Sequence, residues 1–135
     1  MNVQPYLFFE GQCEEAIAFY RGAVGAEVQM QMRYKDSPEK DSAPLHADPE
    51  KIMHATVKIG GSTVMMSDGQ CSGKPAFNGV SLALAVADEA EAQRAFAALA
   101  EGGQPFMPLT KTFFSPQFGM LTDRFGLMWM VMVEA

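Results

Sequence analysis

The sequence predicts an α+β protein built from two βαβββ modules in tandem, and three observations lead there. Features of the first half recur 77 residues later: Val3 and Val80 open apolar strand-like runs, Phe19 and Phe96 sit on helix-like runs, and Gly25 and Gly102 stop them. The hydrophobic period switches in each half from two to about 3.6 and back, the mark of a strand, a helix and further strands. Turn signals at Gly60-Gly61 and at Asp123-Arg124-Phe125-Gly126 then close a hairpin in each half. The modules cover residues 1–68 and 79–135 of one domain, and two copies packed about a pseudo-twofold create a shared cleft where a ligand can sit.

The elements follow in order. Val3 to Phe9 is a β-branched and aromatic run, with Pro5 near its start where a strand tolerates it. From Cys13, Glu14 and Glu15 supply negative charge to a first helical turn, and Ala16, Phe19, Tyr20 and Ala23 share one face before Gly25 ends the helix. Val28, Met30, Met32 and Tyr34 alternate with polar residues, as a half-buried strand requires. Lys35 to Lys51, with three prolines and His46, reads as a long surface loop. Ile52 to Ile59 and Ser62 to Ser67 form a hairpin whose two-glycine turn pairs Ile59 with Ser62. That register puts His54 opposite Ser67, Thr56 opposite Met65 and Lys58 opposite Thr63 on one face. Met53, Ala55, Val57, Ile59, Val64 and Met66 take the other face and should pack on the helices.

Beyond the linker Asp68 to Gly79 the unit repeats. Val80 to Val86 is a strand, Asp88 and Glu91 have capping-box spacing, and Ala92, Phe96 and Leu99 form the helical stripe before Gly102-Gly103. Gln104 to Thr112 gives a strand, and Phe118 to Thr122 with Leu127 to Val133 gives the closing hairpin. Trp129 belongs to its helix-facing frame, and Asp68 and Asp123 sit at turns where a carboxylate caps backbone amides.

Composition narrows the function classes. A chain of 135 residues forms one core, and its formal charge of −6 opposes any surface built to neutralise phosphates or anionic lipid, so nucleic acid and membrane are not expected partners. No apolar run of 18 residues and no basic leader appears, and a cytoplasmic location is expected by default. Cys13 and Cys71 match no metal-ligand or redox spacing and read as reduced thiols.

The strings PYLFFEG, EEAIAFYRGAVGAEV, KIMHATVKIGGSTVMMSDG and FGMLTDRFGLMWMV, spread over nearly the whole chain, resemble the vicinal oxygen chelate (glyoxalase/bleomycin-resistance) superfamily, most closely its PhnB-like branch. The resemblance implies paired βαβββ modules whose curved mixed sheets surround a cleft, commonly in a homodimer. Members include metal-dependent lyases, isomerases and dioxygenases, and metal-free proteins that sequester drugs. In the metal enzymes His and Glu side chains on four strands hold a divalent ion that polarises vicinal oxygens. Carried over, those positions read Pro5, Met65, Ser81 and Met130, and none replaces an imidazole or carboxylate. Neither a metal nor a cofactor is therefore expected.

The inferred cavity face carries Leu7, His54, Thr56, Met65, Ser67, Ser81, Ala83, Met128, Met130 and Met132. Thioethers suit a pocket that adapts to an apolar or aromatic ligand, although methionines also fill cores. His54 is the candidate catalytic residue, with a pKa suited to proton transfer and Ser67 opposite it. The expected function is binding of a small apolar or aromatic molecule without the usual metal site. The alternatives are a lyase or isomerase with an altered metal or a His-based acid/base centre, and an assembly module with a filled cleft. A methyltransferase role lacks support, because no glycine-rich loop follows a strand and opens a helix.

Overall fold

The computed structural model describes residues 1–38 and 48–134. His46 and most of the expected loop lie outside the described residues. The element order is β1 (Tyr6–Phe8), α1 (Cys13–Val24), β2 (Glu27–Arg33), a 3-10 turn (Tyr34–Asp36), β3 (Ile52–Ile59), β4 (Ser62–Ser67), β5 (Ser81–Val86), α2 (Glu89–Ala100), β6 (Gln104–Thr110), β7 (Phe118–Thr122) and β8 (Met128–Val133). Two compact units result, Met1–Pro75 and Ala76–Ala135. Each contains one four-stranded mixed sheet and one helix, the βαβββ arrangement expected from the sequence.

In the first unit the strand order is β1-β4-β3-β2, with β1 parallel to β4 and the other pairs antiparallel. Helix α1 buries Cys13, Ala16, Ile17, Tyr20 and Ala23, and the sheet supplies Leu7, Ala55, Val57, Val64 and Met66 to the same core. The helix ends where expected: Gly25 adopts φ 69° and its N–H bonds the Arg21 carbonyl, the bond of an αL cap, while Ala26 N–H bonds the Tyr20 carbonyl. Its start is capped from a distance. Gln12 gives no side-chain cap, and the buried Asp68 accepts from Cys13 N (2.7 Å), Gly11 N (3.0 Å) and Ile52 N (2.6 Å). One carboxylate thus joins the helix N-terminus to the first residue of β3.

The β3–β4 hairpin pairs Ile59 with Ser62, Lys58 with Thr63 and Thr56 with Met65, as the glycine turn predicts. Other expectations need correction. Strand β1 begins only at Tyr6, and Val3 lies outside it, 90% exposed. Gln29 bulges out of β2, since Val28 pairs with Val57 and Met30 with the next residue, Thr56. A second irregularity sets Met32 against His54 and Arg33 against Ile52, so Met53 is the extra residue and Ile52 enters the core in its place. Tyr34 leaves the strand for the 3-10 turn and is buried there.

In the second unit the order is β5-β8-β7-β6, with β5 parallel to β8. Ala92, Ala95 and Leu99 of α2 are buried, as are Leu121, Trp129 and Val131 of the sheet. Asp88 caps the helix through Glu91 N (2.8 Å), and the last turn gives way at Glu101 to an extended backbone, with Gly102 at φ 78°. Gly119 shows which face α2 covers, because a Cβ there would stand 2.8 Å from the Phe96 ring. Asp123 accepts from Phe125 N (2.9 Å), Leu127 N (3.1 Å) and Trp129 Nε1 (2.9 Å), so the expected turn carboxylate also fixes the core tryptophan. Strand β5 starts at Ser81 rather than Val80, and β6 stops at Thr110.

Candidate functional site

Strand pairing decides which side chains share a face, since residues in register on neighbouring strands point the same way. In the first unit Leu7 pairs with Met66, a buried residue of the α1 face, and Leu7 itself is 6% exposed. Leu7 is therefore a core residue and not part of the expected cavity face. Tyr6, which pairs with Met65, and Phe8, which pairs with Ser67, stand there instead. The helix-remote face of the first sheet then reads Tyr6 and Phe8 on β1, Met65 and Ser67 on β4, His54 and Thr56 on β3, and Met30 and Met32 on β2.

The polar groups of that face form a chain. The Tyr6 hydroxyl lies 2.8 Å from His54 Nδ1, and His54 Nε2 lies 3.0 Å from Thr56 Oγ1. The two contacts hold the imidazole between hydroxyls that can each donate or accept, which fixes the ring's orientation. The hydrogen bonds of His54 run to Tyr6 and Thr56, and Ser67 takes no part in them. Ser67 is almost fully buried and accepts from Gly69 N (2.9 Å). Burial raises the pKa of the Tyr6 and Tyr34 phenols above the ordinary tyrosine value, and the polar Ser67 side chain partly opposes the rise. Tyr34 also donates to the Gly69 carbonyl (2.5 Å).

Apolar groups flank this chain. The Tyr6 and Phe8 rings stack with centroids 4.9 Å apart, and the His54 ring lies 5.5 Å from Tyr6. Phe8 is 50% exposed and Met30 45%, so around His54 the face presents rings and thioethers, with the charged pair Glu27 and Lys58 farther along the β2–β3 ladder. Tyr6 and Tyr34 escaped the sequence reading. The alternation of Tyr6 and Phe8 against Leu7 and Phe9 was visible, but it allows two frames, and only the pairing with β4 selects one.

In the second unit Ser81, Ala83, Met128, Met130 and Met132 fall on the helix-remote face as expected, in the pairs Ser81–Met128, Ala83–Met130 and Ala85–Met132. Met120 and Met107 extend this face across β7 and β6. A separate open groove of about 390 Å³ is lined by Glu89, Lys111, Thr112, Phe113, Phe114, Ser115 and Pro116.

The superfamily's divalent ion does not fit this chain's side chains. The residue beside Met65 is Tyr6 rather than Pro5, and the residue beside Met130 is Ala83. Thioethers, a phenol and a methyl group do not make the His and carboxylate set such an ion takes. Among the described residues no three His, Cys, Asp or Glu side chains are grouped to hold a metal. The thiols lie elsewhere. Cys13 is fully buried at the start of α1, where burial first, then Asp68 and Glu14, push its pKa far up against the helix dipole. Cys71 is half-buried, and its pKa is also raised.

Comparison with known proteins bears on both fold and family. Residues 1–132 match the family described as 3-demethylubiquinone-9 3-methyltransferase. The chain is 38% identical over 140 residues to protein YjdN of Escherichia coli K12, covering 98% of this chain and 95% of YjdN. It superimposes on the crystal structure of PA1353 from Pseudomonas aeruginosa with TM-score 0.85 at 41% identity, covering 99% and 98% of the two chains. The putative 3-demethylubiquinone-9 3-methyltransferase, PhnB protein, from Bacillus cereus gives TM-score 0.80 at 27% identity, covering 98% and 99%. The fosfomycin resistance protein FosX of Listeria monocytogenes, at 10% identity and TM-score 0.66 over 100% and 93%, shares the fold alone. The α+β class and the glyoxalase-type fold expected from the sequence both hold. No described helix is long and apolar enough to cross a membrane.

Proposed function

The chain belongs to the family described as 3-demethylubiquinone-9 3-methyltransferase, within the vicinal oxygen chelate superfamily, and from that premise we propose that it binds a small apolar or aromatic molecule without the superfamily's usual metal site. The observation that carries this reading is the helix-remote face of the first unit, where stacked Tyr6 and Phe8 rings and part-exposed methionines surround the Tyr6–His54–Thr56 chain. Rings and thioethers contribute dispersion and area, and the hydroxyls and imidazole fix orientation. The methionine-rich face of the second unit, with Ser81, Met128, Met130 and Met132, offers the same chemistry. Methyl transfer is not part of the proposal. The β1–α1 connection Phe9-Glu10-Gly11-Gln12 and the β5–α2 connection Ala87-Asp88 contain no glycine-rich nucleotide loop.

A thermal-shift screen of aromatic fragments, followed by calorimetry, tests it. Hits should lose at least about tenfold in affinity, roughly 1.4 kcal/mol, in Tyr6→Phe and in His54→Ala. A library with no hit, or hits indifferent to both substitutions, defeats the reading. The second reading is a lyase or isomerase with a His-based centre. It is favoured by one feature, the phenol held on His54 Nδ1, which allows proton exchange between the two groups. Turnover that survives His54→Ala unchanged removes it.

The proposal includes a cytoplasmic homodimer. The unpaired Cys13 and Cys71 suit a reducing compartment, and exposed Phe106 and Phe113 supply apolar surface for a partner copy. Light scattering gives the oligomeric state.

A further inference from the structure

The second unit carries a ladder of methionines. Met107 on β6 pairs with Met120 on β7, and Met120 pairs with Met130 on β8, so three thioethers stand side by side across three successive strands. Met128 and Met132 flank Met130 on β8. None of the five is buried: Met107 is 40% exposed and the others are intermediate. They lie on the face turned away from α2. The opposite face is identified independently by the Gly119 contact with Phe96 and by buried Leu121, Trp129 and Val131. Filling of the α2 core therefore does not explain them.

We infer that Met107, Met120 and Met130 form a binding site for a soft monovalent metal ion, Cu(I) or its analogue Ag(I). The donor chemistry selects the ion. Thioethers are soft neutral ligands that bind Cu(I) and do not hold Mg²⁺, Ca²⁺ or Mn²⁺, for which carboxylate and carbonyl oxygens are needed. The backbone supplies the spacing. Neighbouring strands are about 4.8 Å apart, so the outer methionines stand about 10 Å apart with the third between them. Each sulfur lies two bonds beyond Cβ on a side chain with three rotatable bonds, so the outer two can lean onto the middle one without moving the sheet. These thioethers make no strong hydrogen bond that ion binding would break, whereas His54 in the first unit has both ring nitrogens engaged. The protein's net charge of −6 favours a cation.

The test uses the full chain with Cys71→Ser, which removes the accessible thiol; Cys13 is fully buried. Silver nitrate is titrated anaerobically into protein labelled with ¹³C at the methionine methyls, and Cu(I) affinity is read by competition with a chromophoric chelator. One equivalent of Ag(I) should shift the methyls of Met107, Met120 and Met130 together. The Met120→Leu/Met130→Leu variant, close in volume, should lose at least a hundredfold in Cu(I) affinity while its circular dichroism is unchanged. The inference is overturned if silver shifts only Met30, Met32 and Met65, if it acts at Cys13, or if the methyl shifts are scattered. It is also overturned if the folded leucine variant binds Cu(I) as the parent does. Should the leucine pair disturb the fold, Met107→Leu alone, on the exposed edge strand, must still lower the affinity at least tenfold.

Discussion

Replacing Asp68 should uncouple the start of α1 from the start of β3. The carboxylate is fully buried and accepts from three backbone N–H groups at 2.6–3.0 Å, with Oδ1 serving Gly11 and Cys13 and Oδ2 serving Ile52. An unsatisfied buried donor costs about 1–3 kcal/mol. Asp68→Ala strands two buried donors and one part-buried one, an expected loss of about 3–6 kcal/mol against a total stability of about 5–15 kcal/mol for a domain. Asp68→Asn is the more readable change. Keeping the oxygen on Gly11 and Cys13 turns an NH₂ group toward the Ile52 N–H, for a loss of about 1–3 kcal/mol. Urea denaturation followed by far-ultraviolet circular dichroism measures both units. Trp129, the single tryptophan, lies in Ala76–Ala135 and reports that unit by fluorescence. The circular-dichroism midpoint should fall by about 0.5 to 2 M in Asp68→Asn, taking m near 1.5–2 kcal/mol/M. An unchanged midpoint and slope would refute the idea that this carboxylate ties helix to strand.

Further outcomes follow from the same contacts. Gly119→Ala drives a methyl to 2.8 Å from the Phe96 ring and 3.0 Å from the Met107 carbonyl, and should cost about 1–3 kcal/mol in urea denaturation. The Arg33 hydrogen bond lowers the Glu14 pKa, so that pair's contribution is complete above the unfolded carboxylate value and is lost as pH falls through the folded one. Glu14→Gln should therefore differ from the parent at pH 7 and converge with it in acid, as thermal melts across pH would show. Burial raises the Tyr6 pKa, so stability linked to it is present below about pH 10 and declines as pH rises through the folded value. Tyr6→Phe should flatten that alkaline decline. Only Cys71 should react with a thiol reagent in the native protein, and Cys13 should appear on adding denaturant.

Local signals account for what was legible in the sequence. Gly60-Gly61 fixes the β3–β4 register because a two-residue turn leaves no freedom, and that placed Thr56 beside Met65 and His54 on the helix-remote face. Gly25 and Asp88 mark helix ends through chemistry confined to a few residues. Strand β1 was harder. It has three residues and pairs in parallel with β4, some 59 positions away, so no turn sets its frame. That is why Leu7 was expected on the face where Tyr6 and Phe8 stand. The bulges at Gln29 and Met53 left no residue signature, and the Tyr6–His54 contact depends on the long-range pairing of β1.

The central claim is that the Tyr6–His54 face receives the ligand, and imidazole NMR tests it most directly. The chain has only two histidines, so a His46→Ala variant leaves the His54 ring nitrogens as a single reporter. An aromatic ligand found by screening should shift His54 Nδ1 and Nε2 together with the Met65 methyl, and those shifts should shrink in Tyr6→Phe. Saturating ligand that leaves the His54 and Met65 resonances in place would contradict the account.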